Sequence, residues 1–148
     1  MNDLQMETRT QRELVGAVVA HLNNGEISDA IAYFGDKFEF SDHGLRLQFT
    51  NHRRLSEFFK KTREFYPDLL MQTGRILVSL DHVTIEWTLR TTLIEPFYVG
   101  QSRVVPVELH GASIVRTENG RITEWTDYYD GLSARRSALG AYFEEWEL

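Results

Sequence analysis

The sequence predicts an α+β domain in which three N-terminal helices are followed by long antiparallel strands and a C-terminal helix. Over the first 65 residues, apolar side chains recur every three or four positions, which is the period of a helix with one buried face. Between residues 69 and 130 the period changes to two, as in strands that bury one face. Residues 132–146 return to the helical period.

The first helix is marked at both ends. Residues 1–9 are predicted to form a loose arm. Thr10 and Glu13 fit a capping box, in which a hydroxyl and a carboxylate bind the first free amides of a helix. Gly25 marks the end of this helix, because glycine readily adopts the left-handed conformation that follows a last helical turn.

Two shorter helices and a small strand follow. Ser28 can cap the second helix. The third is predicted to start near Asn51 and to stop before Pro67, which cannot continue a helix. Between them, Lys37–Phe40 alternates like a short strand, and residues 41–44 form a polar break.

The second half of the chain predicts four strands and a closing helix over residues 132–146. The strands are predicted at Leu69–Leu80, Val83–Arg90, Val104–Arg116 and Arg121–Asp130. A curved sheet wrapped around helices leaves a hollow at one end. Alternate residues of each strand are therefore expected to line a pocket.

Length and composition exclude several classes of protein. At 148 residues the chain is predicted to be a single domain, 1–148. Its net charge is −6 and its basic residues are dispersed, so we expect no nucleic acid partner. The absence of cysteine excludes disulfides and thiolate chemistry. No apolar run approaches membrane-spanning length and no signal peptide is visible, so we expect a cytoplasmic protein without a membrane partner.

The segment Gly120–Asp130 carries the strongest chemical signal. Its alternation places Trp125, Asp127 and Tyr129 on one face of a strand. If this aromatic face points inward, burial raises the pKa of the Asp127 carboxyl and makes it a better proton acceptor near neutral pH. The alternative is a structural acid that accepts hydrogen bonds from backbone amides or from an arginine.

Asp42 and His110 are the other candidate catalytic residues. Asp42 follows the first strand at the expected cavity rim, where it would act as a base or share a proton with Asp127; the alternative is an Asx turn. His110, on the strand Val104–Arg116, would orient or protonate a substrate oxygen, or serve as a structural residue. The five histidines show no HxH, HxxxH or HExxH spacing, so no metal site is predicted.

Large aromatic side chains supply candidate walls for a flat apolar ligand. These candidate ligand-binding residues are Phe40, Phe59, Trp87, Trp125 and Tyr129. Core packing is the alternative role for each of them.

Three segments resemble the nuclear transport factor 2-like superfamily: Leu22–Phe34, Phe38–Gly44 and Asn119–Asp130. The resemblance covers residues 10–135 and implies a cone-shaped fold. The superfamily includes ketosteroid isomerases, SnoaL-like polyketide cyclases and limonene epoxide hydrolases, which share the cone but not one chemistry. It also implies a homodimer formed through the polar outer face of the sheet, which carries Glu86 and Arg90; a solvated face is the alternative.

The resemblance to the ketosteroid isomerases is partial. Asp42 falls where those enzymes keep the carboxylate that moves the proton. Their oxyanion donors are a tyrosine on the first helix and a protonated acid on a strand. These positions match Val18 and Ala112 here, and neither side chain donates a hydrogen bond.

The limonene epoxide hydrolases have an aspartate at the place of Asp127 that helps to activate water. Their arginine and second aspartate match Trp87 and Leu89, and their tyrosine and asparagine match Phe40 and Asp42. The SnoaL-like cyclases need only an acid on a late strand and an apolar cavity, and this chain resembles them in layout.

Together these observations predict a SnoaL-like small-molecule enzyme that uses general acid–base catalysis without a cofactor. Asp127 would move a proton on an apolar cyclic or polyketide-like ligand in a cyclisation, isomerisation or hydration, with Asp42 or His110 as its partner. The alternative is a non-catalytic module of the same fold that binds a small ligand or dimerises. The missing oxyanion donors favour that alternative.

Overall fold

The computed structural model of the chain describes residues 3–98 and 101–131. Within them, three helices and six strands confirm the predicted α+β class. The elements are α1 (Asp3–Asn23), α2 (Ile27–Ile31), β1 (Phe34–Asp42), β2 (Leu47–Phe49), α3 (His52–Phe65), β3 (Leu70–Val78), β4 (His82–Tyr98), β5 (Gln101–Glu118) and β6 (Arg121–Tyr129). The predicted C-terminal helix lies outside the described residues. That the chain is a single domain stays a prediction.

The helix starts follow the sequence signals in only one of three cases, whereas α1 ends at Asn23, before a left-handed Gly25, as predicted. α1 begins at Asp3, so residues 3–9, predicted as a loose arm, are helical and Thr10 lies inside the helix. The segment is rich in Leu, Gln, Met, Glu and Arg, whose helix propensity favours continuation. α2 follows Glu26 without a side-chain cap, so Ser28 does not cap it. The prediction for α3 is confirmed, since the Asn51 side chain accepts from the Arg54 amide at 2.9 Å.

The six strands form one curved, open sheet in the order β2-β1-β6-β5-β4-β3. All neighbours are antiparallel except β1 and β6, which are parallel, so the prediction of a wholly antiparallel sheet is wrong at this pair. Residues 41 and 42, predicted as part of a polar break, belong to β1. They pair with both β2 and β6, and this pairing satisfies their backbone polar groups.

The main core lies between the helices and the inner face of the sheet. Its fully buried side chains include Val15 and Val18 of α1, Leu55 of α3 and Ile85 of β4. The aromatic rings of β1 pack here, and Phe40 meets Phe59 edge to face at 5.5 Å. The aromatic pattern of the sequence therefore serves the core as well as the cavity wall.

A register shift in β6 decides which residues of its second half point inward. β5 pairs with Ile122 and then with Glu124, which leaves Thr123 as an extra residue in the ladder. Ile122 is buried, and the odd-numbered residues beyond the bulge turn to the same inner face. The bulge therefore aims Trp125, Asp127 and Tyr129 inward.

Two glycines should respond to alanine in opposite directions. A Cβ at Gly111 would lie 2.4 Å from the Trp87 ring and 2.8 Å from the Tyr128 carbonyl oxygen. Gly111→Ala should therefore lower the free energy of unfolding by about 1–3 kcal/mol. A Cβ at Gly16, inside α1, would meet nothing within 4 Å. Gly16→Ala should raise the free energy of unfolding by about 0.5–1 kcal/mol, because alanine loses less backbone entropy in a helix.

Urea unfolding followed by circular dichroism measures both changes. A Gly111→Ala variant as stable as the wild type would show that Trp87 does not depend on the space left by this glycine.

Candidate active site

A cavity of about 460 Å³ lies between α3 and the inner face of the sheet. Its wall is mostly apolar. The wall includes Phe58 and Phe59 from α3, Trp87 and Leu89 from β4, and Val107 and Leu109 from β5. A cavity of this size and lining suits a small apolar molecule.

Asp127 is held in this cavity by side chains from two strands. Ser113 donates its hydroxyl hydrogen to Asp127 Oδ1 at 2.5 Å, and Trp125 donates its indole N–H to the same oxygen at 2.7 Å. Trp87 donates its indole N–H to Ser113 Oγ at 2.8 Å. The side chain of Asp127 is therefore fixed by a chain of three hydrogen bonds, all from buried groups.

The donors in this hydrogen-bond chain determine which oxygen of Asp127 carries the proton when the carboxyl is protonated. An indole nitrogen only donates, so the Ser113 oxygen accepts from Trp87 and its hydrogen is left for Asp127. Oδ1 thus accepts two hydrogen bonds and has no room for a proton of its own. Among the described residues no donor binds Oδ2. When Asp127 is protonated, Oδ2 carries the proton.

The environment of Asp127 raises its pKa from 3.8 to about 7. The largest cause is burial, which disfavours the charged form; Asp127 is 9% exposed. The bonds from Ser113 and Trp125 act in the opposite direction, and the neighbouring Asp42 raises the pKa further. Asp127 can therefore give or take a proton near neutral pH.

Asp42 lies beside Asp127, because the two residues are partners in the parallel register of β1 and β6. Asp42 is 6% exposed. Its Oδ1 accepts from the Leu45 amide at 2.8 Å, and its Oδ2 accepts from the Tyr129 hydroxyl at 3.0 Å. Asp42 therefore makes the turn contact that the sequence offered as the alternative role, and it also lines the cavity; its role as a base stays a prediction.

The structure brings most of the predicted site residues to one cavity. The predicted residues that line it are Asp42, Asp127, Phe40, Phe59, Trp87 and Tyr129. Trp125 is outside this lining and contacts Asp127 from the buried side. Whether these residues act on a ligand stays a prediction.

His110 does not join the site. Its side chain is 74% exposed and contacts Thr88 and Glu108 on the outer face of the sheet. The inner face of β5 consists of odd-numbered residues, among them the buried Val107 and Leu109. His110 is even-numbered, so the pleat turns it away from Asp127, and its prediction as a partner of Asp127 is wrong.

Ser113 is a residue of the candidate site that the sequence analysis does not predict. It is fully buried and connects Trp87 to Asp127. The signal was available, because Ser113 is the polar residue in an otherwise apolar series on the inner face of β5, between Leu109 and Val115. The candidate that the sequence analysis names on this strand, His110, lies on the opposite, even-numbered face.

One group of described residues has the composition of a metal site and lies away from the cavity. One ligand atom each of His21, Glu26 and Asp29 lies within 4.8 Å of the others. All three lie at least partly exposed, and such groups are common without a metal. The absence of a metal site stays a prediction.

Separately, no helix among the described residues combines the length and the apolar character needed to cross a membrane.

A family model described as the SnoaL-like domain matches residues 15–125. The chain belongs to the SnoaL-like family. A comparison with curated proteins found no match. The fold of this SnoaL-like protein is that of the nuclear transport factor 2-like superfamily, which confirms the resemblance seen in the sequence.

Solved structures agree with this SnoaL-like assignment at the level of fold. A candidate SnoaL-like polyketide cyclase from Jannaschia sp. CCS1 has a TM-score of 0.76 and 14% identity, over 93% of this chain and 94% of that one. An LEH-like epoxide hydrolase from M. tuberculosis has a TM-score of 0.71 and 20% identity, over 93% and 98%. AclR, a candidate hydroxylase from Streptomyces galilaeus, has a TM-score of 0.73 and 18% identity, over 90% and 83%.

The raised pKa of Asp127 predicts a specific pH dependence of stability in this SnoaL-like protein. A carboxyl with a raised folded pKa favours folding fully below its unfolded pKa of 3.8, and this contribution is lost as pH rises to about 7. The free energy of unfolding of Asp127→Asn, relative to the wild type, should therefore increase between pH 4 and pH 7. The increase should be on the order of a few kcal/mol, and the difference should be constant above pH 7.

Asp68→Asn provides the matched comparison for this measurement. Hydrogen bonds from Thr92 and Thr91 lower the pKa of Asp68 from 3.8 to about 2, so its stabilising contribution is lost only as pH falls through that range. Urea unfolding from pH 2 to pH 9 covers both windows and separates them. A relative stability of Asp127→Asn that stays flat between pH 4 and pH 7 would contradict the raised pKa.

Two other substitutions should move the pKa of Asp127 in opposite directions. Ser113→Ala removes a hydrogen bond that lowers the pKa, so the pKa should rise. Asp42→Asn removes a nearby negative charge that raises it, so the pKa should fall. Carbon-13 NMR titration of the aspartate carboxyls measures both. Shifts in the same direction in the two variants would show that one of these contacts is assigned wrongly.

Proposed function

We propose that this SnoaL-like protein is a small-molecule enzyme that uses cofactor-independent general acid–base catalysis on an apolar cyclic or polyketide-like ligand. The observation that carries the proposal is the buried Asp127, whose pKa is about 7 and whose Oδ2 is left free in an apolar cavity. A carboxyl whose pKa is close to the pH of the solution can readily both take and give up a proton.

In the proposed reaction, Asp127 Oδ2 takes a proton from a carbon beside a carbonyl group. The C–H bond breaks, an O–H bond forms on Oδ2, and the electron pair moves to the carbonyl oxygen as an enolate. Return of the proton to a different carbon completes an isomerisation. In a cyclisation, the enolate carbon attacks a second carbonyl, whose π electrons move to its oxygen; that oxygen takes the proton from Oδ2. In the hydration of an epoxide, Oδ2 takes a proton from a water that attacks a ring carbon. The C–O bond of that carbon breaks, and the ring oxygen takes a proton to complete the diol.

Asp42 is the proposed partner of Asp127 in this reaction. Its charge helps to raise the pKa of Asp127. Both of its oxygens already accept hydrogen bonds, from Leu45 and Tyr129, so its geometry is fixed before a ligand binds. The names of the structural neighbours, which include a cyclase and an epoxide hydrolase, support the range of reactions proposed.

Ligand binding without turnover is the second candidate function. The apolar cavity would serve it equally well. The positions that match the oxyanion donors of ketosteroid isomerases also support it, because Val18 is buried in the core and Ala112 is one residue from the inward-facing Ser113. A protein that binds cyclic ketones but neither exchanges their protons nor opens epoxides would have this function.

Proton exchange on 2-tetralone tests the enzymatic proposal without knowledge of the natural substrate. In D₂O the wild-type protein should replace hydrogen beside the carbonyl by deuterium faster than buffer alone. The rate should rise as pH passes about 7 and then level off, because the carboxylate form of Asp127 is the base. Asp127→Asn should lower the protein-dependent rate by roughly 10²- to 10⁴-fold. NMR follows the exchange.

Asp36→Asn is the control, since Asp36 is exposed on β1 and outside the cavity lining. It should exchange 2-tetralone at the wild-type rate. A folded Asp127→Asn protein with wild-type exchange would refute the role of Asp127. Diol formation from a panel of small cyclic epoxides tests the hydration reaction in the same variants.

The predicted homodimer also belongs to this proposal. The outer face of the sheet carries the ion pairs Arg75–Glu86 and Arg90–Glu108, next to the exposed Ile114. Within each pair the opposite charges neutralise each other in one chain. Apolar side chains beside the pairs offer surface that a second copy of the chain could bury. Cytoplasmic location and the absence of nucleic acid or membrane partners also stay predictions.

A further inference from the structure

Most polar atoms on the cavity wall are already used by the protein. Tyr129, Thr62 and Thr91 each donate their hydroxyl hydrogen to a protein oxygen. The amide of Asn23 donates to and accepts from the backbone of Met71, each at 2.9 Å. A ligand therefore finds few polar partners in this cavity.

Three polar side chains of the described lining have a nitrogen or oxygen atom that binds no other described residue. One is Oδ2 of Asp127. The second is the hydroxyl of Tyr66, which has no hydrogen-bond partner among the described residues. The third is Arg63, which gives two N–H groups to the carbonyls of Asn23 and Leu69, each at 2.8 Å, and keeps the rest of its guanidinium. Tyr66 is the neutral donor of this set.

The backbone holds Tyr66 in a defined place at the end of α3. Its N–H donates to the Thr62 carbonyl at 2.9 Å, and its carbonyl accepts from the Leu69 amide at 3.1 Å. Pro67 follows and restricts the chain further. A half-buried phenol on such a backbone loses little additional freedom when it binds a ligand.

The Tyr66 ring also lies near Tyr129, in the part of the cavity that contains Asp42 and Asp127. The pKa of Tyr129 is raised by burial, by Asp42, and to smaller extents by Asp127 and Tyr66. These groups therefore lie around the Tyr129 hydroxyl, on the same cavity wall. Tyr66 and Asp127, each with an oxygen that binds no described residue, line the same cavity.

We propose that the Tyr66 hydroxyl donates a hydrogen bond to the carbonyl oxygen of the substrate, so that a neutral apolar ketone lies between Tyr66 and Asp127 Oδ2. This inference rests on the proposed function. When the proton moves from carbon to Oδ2, negative charge develops on the carbonyl oxygen, and the bond from Tyr66 strengthens. Tyr66 thereby supplies the donor that Val18 and Ala112 do not.

A ketone and its hydrocarbon analogue separate this hydrogen bond from packing. 2-Tetralone and tetralin have the same ring system, but only the ketone has an acceptor oxygen. Tyr66→Phe should weaken binding of 2-tetralone roughly threefold to tenfold, the usual effect of one neutral hydrogen bond, and leave tetralin binding unchanged. The infrared carbonyl band of bound, carbon-13-labelled 2-tetralone should shift to higher frequency in this variant.

Tyr33→Phe is the matched control, because Tyr33 lies outside the cavity lining and loses the same hydroxyl. It should change neither binding nor the carbonyl band. If Tyr66→Phe lost equal affinity for 2-tetralone and for tetralin, Tyr66 would only pack against the ligand, and the proposal would be overturned. An unchanged carbonyl band, or a wild-type protein with no preference for the ketone, would overturn it as well.

Two further outcomes distinguish this inference from an anchoring role of Arg63 and from the proposed catalysis. Tighter wild-type binding of tetralin-2-carboxylate than of 2-tetralone, lost in Arg63→Gln, would make Arg63 the polar anchor and overturn the role of Tyr66. A carbonyl shift that depends on Tyr66, without any protein-dependent exchange, would support the hydrogen bond and refute the proposed catalysis. The infrared measurement needs no turnover, so the two proposals fail independently.

Discussion

The hydrogen-bond chain from Trp87 through Ser113 to Asp127 is the interaction on which the site depends. Indole nitrogens can only donate, so the direction of the chain is fixed, and Trp125 adds a second donor to the same carboxylate oxygen. One oxygen of Asp127 is thereby saturated and the other is left for the cavity. A buried carboxyl without these donors would be costly in its charged form and free to rotate.

The same arrangement balances opposing effects on Asp127. Burial and the neighbouring Asp42 raise its pKa, and the two hydrogen bonds lower it, so that it titrates near neutral pH. A carboxyl buried deeper would stay protonated, and one with more donors would stay charged; neither would exchange protons readily. Most other polar atoms of the wall bind groups of the protein itself, which keeps the cavity largely apolar around Asp127.

Several elements could be predicted from the sequence because their signals are local. Asn51 caps α3 through its own side chain, and the alternation Trp125-Asp127-Tyr129 follows from the strand period alone. Other signals failed because tertiary pairing decided them. The Thr10 pattern lies inside a longer helix, and the polar residues at the end of β1 were satisfied by two neighbouring strands.

The sequence by itself determined the fold class and the alternation of an acid with aromatics in the last strand, because periodicity and turn residues act over a few positions. The superfamily followed from the resemblance of three segments. The tertiary structure decided that Asp42 lies beside Asp127, that Ser113 binds Asp127 and that Tyr66 lines the cavity. These facts depend on strand register, on the bulge at Thr123 and on a parallel pair between the first and last strands. Such contacts join residues far apart in the chain, and no local pattern specifies them.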